Sequence, residues 1–139
     1  MKQMEGLKLS NHETVSFVLG GLYFEYDKAK QEINMQKHGI SFRAAARVFF
    51  DDNYIEAYDD DNQYGEERYD IIGDASVAGG RTVIGNIENF AGDVRDILYV
   101  VYTERNCEVV EGKKVEVIRL ISARLANEFE RGLYYGKIF

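Results

Sequence analysis

The sequence predicts an α+β domain in which helices pack on an antiparallel sheet of four to six strands. Three observations support this class. Two late segments, "DILYVVYTER" (96–105) and "VEVIRLISAR" (115–124), are rich in β-branched and aromatic residues. Two early segments have helix caps, and short polar or glycine-containing turns separate most of the remaining elements. The resulting order is one strand, two helices, four or five strands and a final helix.

The first strand and the two helices after it are predicted from local signals. "LYFEY" (22–26) is aromatic and β-prone, and Asp27 is a good N-cap for the helix "KAKQEINMQKHG". Gly39 suits the left-handed position that ends a helix. Ser41 is then expected to cap a second helix, "FRAAARVFF", whose apolar residues recur at helical spacing.

The remaining elements follow Asp51. "NYIEAY" and "ERYDIIG" are predicted strands around the acidic turn "DDDNQYG", and "RTVIGNI" (81–87) is a third candidate. The two long strands named above are joined by the turn "EGKK" (111–114), and Cys107 falls in a predicted turn after the first of them. Asn127 is a candidate cap for the last helix, "EFERGLYYGKIF".

Length and composition indicate one soluble domain. The chain has 139 residues, of which 45% are hydrophobic and 29% are charged. One cysteine excludes an internal disulfide and is typical of a reducing cytosol. No apolar run reaches the roughly 18 residues that span a bilayer, so we expect a cytoplasmic protein without membrane contact. Residues 1–21 have no strong periodicity and are set apart as an N-terminal extension, with residues 22–139 as the domain.

The net charge of −7 argues against nonspecific nucleic-acid binding, but the acids are concentrated. Residues 51–74 contain ten acids and one arginine, so the rest of the chain carries a net charge of +2. The acidic turn does not fit the EF-hand pattern, because Gln63 and Tyr64 occupy loop positions five and six counted from Asp59. Two histidines and one cysteine match no zinc-ligand spacing, and glycine-rich phosphate loops are absent from the sequence. No metal and no cofactor are predicted.

The candidate functional residues are cations. They are Lys37 and His38 at a helix C-terminus, and Arg68, Arg105, Arg119 and Arg124 on or at the ends of strands. A structural explanation is available for each, because cations offset the dipole at a helix end and the arginines could pair with the acidic segment. A functional explanation is that they surround one phosphodiester. Metal-free RNA cleavage needs a proton donor and acceptor and fixed positive charge, which histidine and arginine supply.

Several blocks of the sequence resemble the BrnT family of toxins from bacterial type II toxin–antitoxin pairs. The first is "FEYDKAKQEINMQKHGISFRAAARVFFDD". It begins with an aromatic strand that ends at Asp27, and it continues with a Lys-His-Gly sequence and a Ser-Phe pair at the start of a second helix. Its matching positions are Phe24, Tyr26, Asp27, Lys30, Asn34, Lys37, His38, Gly39, Ser41, Phe42, Ala45, Val48 and Phe49. "EERYDIIG", "VVYTER" (100–105) and "IRLISARLANEFERGLYY" (118–135) match later family blocks.

The resemblance implies a fold like that of the RelE-type ribonuclease toxins, an RNA-cleaving activity and an antitoxin of the BrnA type. That antitoxin is a DNA-binding protein, so operator DNA is implied only through the toxin–antitoxin complex. The family's recurrent polar residues fall here on Lys37, His38, Glu67, Arg68, Arg105, Arg119 and Arg124. Relative to the family, residues 1–21 are extra and residues 74–96 are an insertion.

Two hypotheses follow. In the first, the protein is a metal-independent endoribonuclease toxin that inhibits translation. His38 is its general acid or base, Glu67 is a second proton carrier, Arg68, Arg105 and Arg124 hold the phosphate, and Lys37 and Arg119 bind RNA. In the second, the fold is a catalytically inactive module that binds a protein partner. Convergence of His38 with at least two arginines favours the enzyme, whereas pairing of the arginines with residues 51–74 favours the module.

Overall fold

The computed structural model describes residues 13–59, 67–76, 81–84, 87–90 and 97–136. Within these ranges the chain forms eight strands, three α-helices and one 3₁₀ helix. The strands are β1 (Thr14–Leu19), β2 (Leu22–Asp27), β3 (Ile55–Asp59), β4 (Arg68–Asp74), β5 (Arg81–Ile84), β6 (Ile87–Phe90), β7 (Ile97–Val110) and β8 (Lys113–Leu125). The helices are α1 (Lys28–His38), α2 (Phe42–Ala45), the 3₁₀ helix (Ala46–Phe50) and α3 (Glu128–Tyr134). None of the helices described is long and apolar enough to cross a membrane.

Six strands form one sheet in the order β1-β2-β8-β7-β4-β3, and β5 pairs with β6 separately. The α+β class is confirmed, but the prediction of an antiparallel sheet is wrong at one pair, because β2 and β8 run parallel. A parallel pair needs a long crossover between its strands, and here α1 and most of the domain lie between β2 and β8. Patterns within single segments carry no information on such a distant pairing. The likeness of the fold to that of the RelE-type toxins stays a prediction.

The predicted caps are confirmed at both ends of α1 and at the start of α2. Asp27 accepts a hydrogen bond from the Ala29 amide at 2.9 Å, and Gly39 ends α1 in the left-handed conformation with φ 70°. Ser41 accepts a bond from the Ala44 amide at 3.1 Å. The second of the two predicted N-terminal helices is shorter than expected, since α2 tightens after four residues into the 3₁₀ helix. Such tightening is common where an α-helix ends.

Three other elements differ from the sequence prediction. β1 lies within the predicted N-terminal extension, yet it pairs along its whole length with β2, and Phe17 is a core residue. β5 and β6 lie within the predicted insertion 74–96. β7 continues to Val110, so Cys107 belongs to a strand and the predicted turn there is wrong. The long β7–β8 hairpin turns at Glu111 and Gly112, both of which have positive φ.

The core lies between one face of the sheet and the segment from α1 to the 3₁₀ helix. Its aromatic rings form a continuous series of contacts, Tyr58–Tyr69–Tyr102–Phe49–Phe24–Phe17–Tyr26–Phe42. Gly73 on β4 lets the 3₁₀ helix approach, because a Cβ there would lie 3.0 Å from Val48 Cβ. A smaller core of Ile72, Ile97 and Ala126 lies against α3. Asn127 caps α3 through a reciprocal capping box with Glu130, as predicted for the cap.

Asn34 joins α1 to the edge of β8. β2 pairs with β8 only as far as Leu120, and α1 covers the next part of that edge. The buried Asn34 amide donates to the Ala123 carbonyl at 2.8 Å and accepts from the Ala123 amide at 3.1 Å. It also donates to the Ile40 carbonyl at 3.0 Å. One side chain therefore takes the place of a neighbouring strand and also fixes the chain after the helix.

We predict that Asn34→Ala lowers the free energy of unfolding by about 2–4 kcal/mol, because it leaves buried backbone groups of Ala123 and Ile40 without their partner. Urea denaturation measures the loss. Gln36→Ala, an exposed change on the same helix, is the control and is expected to change stability by less than about 0.5 kcal/mol. Equal stability of Asn34→Ala and wild type would contradict this role of the amide.

Candidate active site

The second face of the sheet is polar along one row of residues that crosses the strands. Directly paired residues share a face, and the register pairs Ser16 with Glu25, Glu25 with Arg119, and Arg119 with Thr103. Arg68 precedes Tyr69, which pairs with Tyr102, so Arg68 lies at the β4 end of the same row. Arg105 is two residues from Thr103 on β7 and therefore faces the same way.

Glu25 is the centre of this row. It is 3% exposed, and its Oε2 atom forms ion pairs with Arg119 Nη1 at 2.7 Å and Arg105 Nη1 at 3.0 Å. The arginine side chains remain 26% and 40% exposed, respectively. The structure thus brings two of the predicted arginines onto one buried carboxylate, and a single oxygen fixes both guanidinium groups.

Sequence reasoning missed Glu25, although a signal for it exists. It lies between Phe24 and Tyr26 in an aromatic strand, and both neighbours belong to the core. Alternation along the strand places the acid on the opposite face. An isolated acid in a core strand indicates a buried charge that requires a cationic partner.

Glu67 lies just before β4, beside Arg105. Its backbone carbonyl accepts a hydrogen bond from Thr103 Oγ1 at 2.6 Å, and its carboxylate accepts a long one from the Tyr69 hydroxyl at 3.4 Å. Glu67, Thr103, Arg105 and Asn106 share an open cavity of about 380 Å³. The structure therefore brings the predicted second proton carrier to the edge of the arginine row.

Arg124 forms its ion pair with Glu130, away from the polar row around Glu25. It forms two hydrogen bonds with the Glu130 carboxylate, at 2.8 and 2.9 Å, and its guanidinium lies 4.2 Å from the centre of the Tyr99 ring. The hydrogen bond to Glu130 raises the pKa of Arg124. Burial raises the pKa of Glu130, but hydrogen bonds from Arg124 and from the Asn127 backbone outweigh it and lower that pKa overall. Arg124 thus connects β8 to α3.

Lys37 and His38 are exposed in the last turn of α1, where their charge can also offset the helix dipole. They line a groove of about 200 Å³ with Lys30, Ile33 and Asn34 of the same helix and with Ile121 and Ser122 of β8. None of the four predicted arginines is among the described residues that line it. Since the helical residues recur at spacings of three and four, one stripe of α1 faces the strand.

A β-bulge connects this groove to the arginine face. The register of β7 and β8 shifts between Val101–Ser122 and Tyr102–Leu120, which leaves Ile121 as the extra residue. Ser122 pairs with Val101, and Val101 faces the same way as Thr103 and Arg105. Ser122 therefore borders the groove of His38 and also belongs to the polar face.

Three ion pairs of the predicted arginines lie among the described residues, and their acids are outside the acidic segment. Arg105 and Arg119 pair with Glu25, and Arg124 pairs with Glu130, whereas the acidic segment spans residues 51–74. Among the residues that the structure describes, no group of three His, Cys, Asp or Glu side chains is arranged to hold a metal ion. The described side chains that suit proton transfer and charge stabilisation at a phosphodiester lie in two places: the arginines and Glu67 on the polar face, and His38 in the separate groove.

Residues 26–88 match the family model described as "Ribonuclease toxin, BrnT, of type II toxin-antitoxin system". The matched stretch contains Lys37, His38, Glu67 and Arg68, while Arg105, Arg119 and Arg124 lie beyond it. No curated protein is similar enough to the chain to count as a match. The family match confirms the resemblance read from the sequence motifs: residues 26–88 of this chain are similar to the BrnT family of ribonuclease toxins.

Proposed function

We propose that this protein is a metal-independent endoribonuclease toxin that cleaves RNA, inhibits translation and is neutralised by a BrnA-like antitoxin. The observation that carries the proposal is the pair of guanidinium groups that Glu25 holds on the polar face of the sheet. The family description, a ribonuclease toxin of a type II toxin–antitoxin system, supports the same reaction class and the presence of an antitoxin.

The proposed reaction uses the 2′-hydroxyl of the RNA as the nucleophile. A base removes its proton, the 2′-oxygen attacks the phosphorus, and an acid protonates the departing 5′-oxygen, which leaves a cyclic phosphate and a 5′-hydroxyl. His38 performs one proton transfer and Glu67 is the second carrier. Arg68, Arg105 and Arg119 stabilise the charge that develops on the phosphorane oxygens.

The other predicted cations act along the RNA backbone in this proposal. Lys37 borders the groove of His38 and attracts the backbone towards it. Arg124 lies five residues beyond Arg119 on β8, about 16 Å along the strand, which is too far for the same phosphate and suits one further along the RNA. An acidic protein can bind RNA in this way because the acids are concentrated in residues 51–74.

The apolar surface around β3 and α3 supports a protein partner. Tyr54, Tyr58 and Phe129 are 42%, 51% and 59% exposed, and Phe129 borders an open apolar cavity with Ile55 and Leu133. Phe129 lies beside the face of β3 that carries Ile55, whereas Tyr58 belongs to the opposite face, and exposed aromatic residues are enriched at protein interfaces. In the proposal, the BrnA-like antitoxin is the partner and connects the toxin to operator DNA.

A second candidate function, a catalytically inactive protein-binding module, is favoured by one observation. Arg105, Arg119 and Arg124 all have an ion-pair partner within the domain. Such pairs also occur in folds that have no substrate, where each partner compensates the charge of the other.

We predict that the purified protein cleaves an end-labelled single-stranded RNA in EDTA, and that His38→Ala slows cleavage more than about tenfold because one proton transfer is lost. Gln36→Ala, on the same helix but outside the groove, is the matched control and should cleave at the wild-type rate. Equal cleavage by His38→Ala would remove His38 from the chemistry. If wild type cleaves neither free RNA nor ribosome-bound mRNA, the binding module replaces the enzyme.

We predict further that Arg119→Ala lowers kcat/KM by about 100-fold, as loss of one charge-stabilising donor does in other enzymes. Arg43→Ala is the control, since its guanidinium lies 4.5 Å from the centre of the Phe17 ring, away from the polar row. That control should stay within about twofold of wild type. An equal loss in both variants would indicate general attraction of RNA by positive charge instead of a specific phosphate site.

A further inference from the structure

We infer that Glu25 is a positioning residue for RNA cleavage, which holds Arg105 and Arg119 in the arrangement that stabilises the reacting phosphate. This inference rests on the proposed function, and it assigns a role to a residue outside the predicted site. Glu25 touches the two arginines and would act through them, without contact to the substrate.

The geometry supports positioning because both arginines meet at one atom. Arg119 Nη1 and Arg105 Nη1 lie 2.7 and 3.0 Å from Glu25 Oε2, so the two guanidinium groups are neighbours on adjacent strands. Two neighbouring cations repel each other, and the attraction of both to an anion between them offsets that repulsion. Glu25 therefore allows a density of positive charge that the arginines could not maintain alone.

The surroundings of Glu25 argue that it is more than a structural ion pair. Its neighbours on the same face include Val18 and Val117, and an open cavity of about 220 Å³ adjoins it. Apolar side chains in place of the whole ion-pair cluster would avoid the cost of burying charge, and such replacements are often neutral or stabilising. A buried acid that binds two partly exposed arginines is instead suited to hold the long, flexible arginine side chains in one geometry.

This role has a characteristic kinetic signature. Loss of the Glu25 charge makes the face more positive, which strengthens attraction of the RNA polyanion in the ground state. The same change lets the guanidinium groups move, which weakens stabilisation of the transition state. Weaker stabilisation of the transition state lowers kcat. Stronger binding of the RNA in the ground state keeps KM from rising.

The first test compares Glu25→Gln, Glu25→Asp and wild type in steady-state RNA cleavage. We expect kcat to fall at least about tenfold in both variants with KM unchanged or lower. Glu25→Asp keeps the charge but withdraws the oxygen by one methylene, so it separates position from charge. Glu32→Gln, an exposed change on α1, is the matched control and should keep wild-type kinetics. Wild-type kcat in Glu25→Asp would overturn the positioning role.

The second test is independent of catalysis, because it asks whether Glu25 holds the arginines and can be read even if wild type cleaves no RNA. NMR spectra detect the guanidinium protons of arginines whose exchange with water is slowed by hydrogen bonds. We expect slowly exchanging signals from Arg119 in wild type and their loss in Glu25→Gln. Arg124, which Glu130 holds, is the internal control and should keep its signals in a variant that remains folded. Unchanged Arg119 signals in Glu25→Gln would overturn the inference, whereas loss of the signals without any wild-type cleavage would overturn the ribonuclease proposal and leave Glu25 only as the residue that holds Arg119.

Discussion

The contact between the Asn34 amide and the backbone of Ala123 determines how the helical and sheet parts of this domain meet. Asn34 is buried, and it also binds the carbonyl of Ile40, where the chain leaves α1. The Asn34 amide forms hydrogen bonds with backbone groups of β8 beyond the point where pairing with β2 ends. These bonds fix the position of α1 along the strand. The groove of His38 follows from this placement, since its two walls are α1 and β8.

The two faces of the sheet have different roles. One face carries the chain of aromatic contacts that stabilises the fold, and the other carries the arginines around Glu25. The alternation of β-strands makes this division possible within single segments, as in β2, where Phe24 and Tyr26 are core residues and Glu25 is not. The bulge at Ile121 then turns Ser122 towards the polar face, next to the groove of His38.

Features that depend on neighbouring residues could be predicted from the sequence, whereas features that depend on distant residues could not. The caps Asp27, Ser41 and Asn127 were readable because each bonds a residue two or three positions away. The parallel pairing of β2 with β8 joins residues that are more than ninety positions apart, and no segment encodes it alone. The place of Glu25 between Phe24 and Tyr26 is a local sign of a buried acid, but its partners Arg105 and Arg119 are distant in the chain, so its pairing could not be predicted. The positions of Lys37 and His38 were predicted, whereas the groove that they border depends on the bulge in β8.

The central claim is that the groove of His38 and the arginine face form one continuous RNA-binding site. The most direct measurement is an NMR titration of the intact protein with a short RNA whose 2′-hydroxyls are methylated, which prevents cleavage. The account predicts that signals of His38, Ser122, Arg105 and Arg119 shift together with one dissociation constant. Shifts confined to one of the two regions, or different constants for the two, would contradict it.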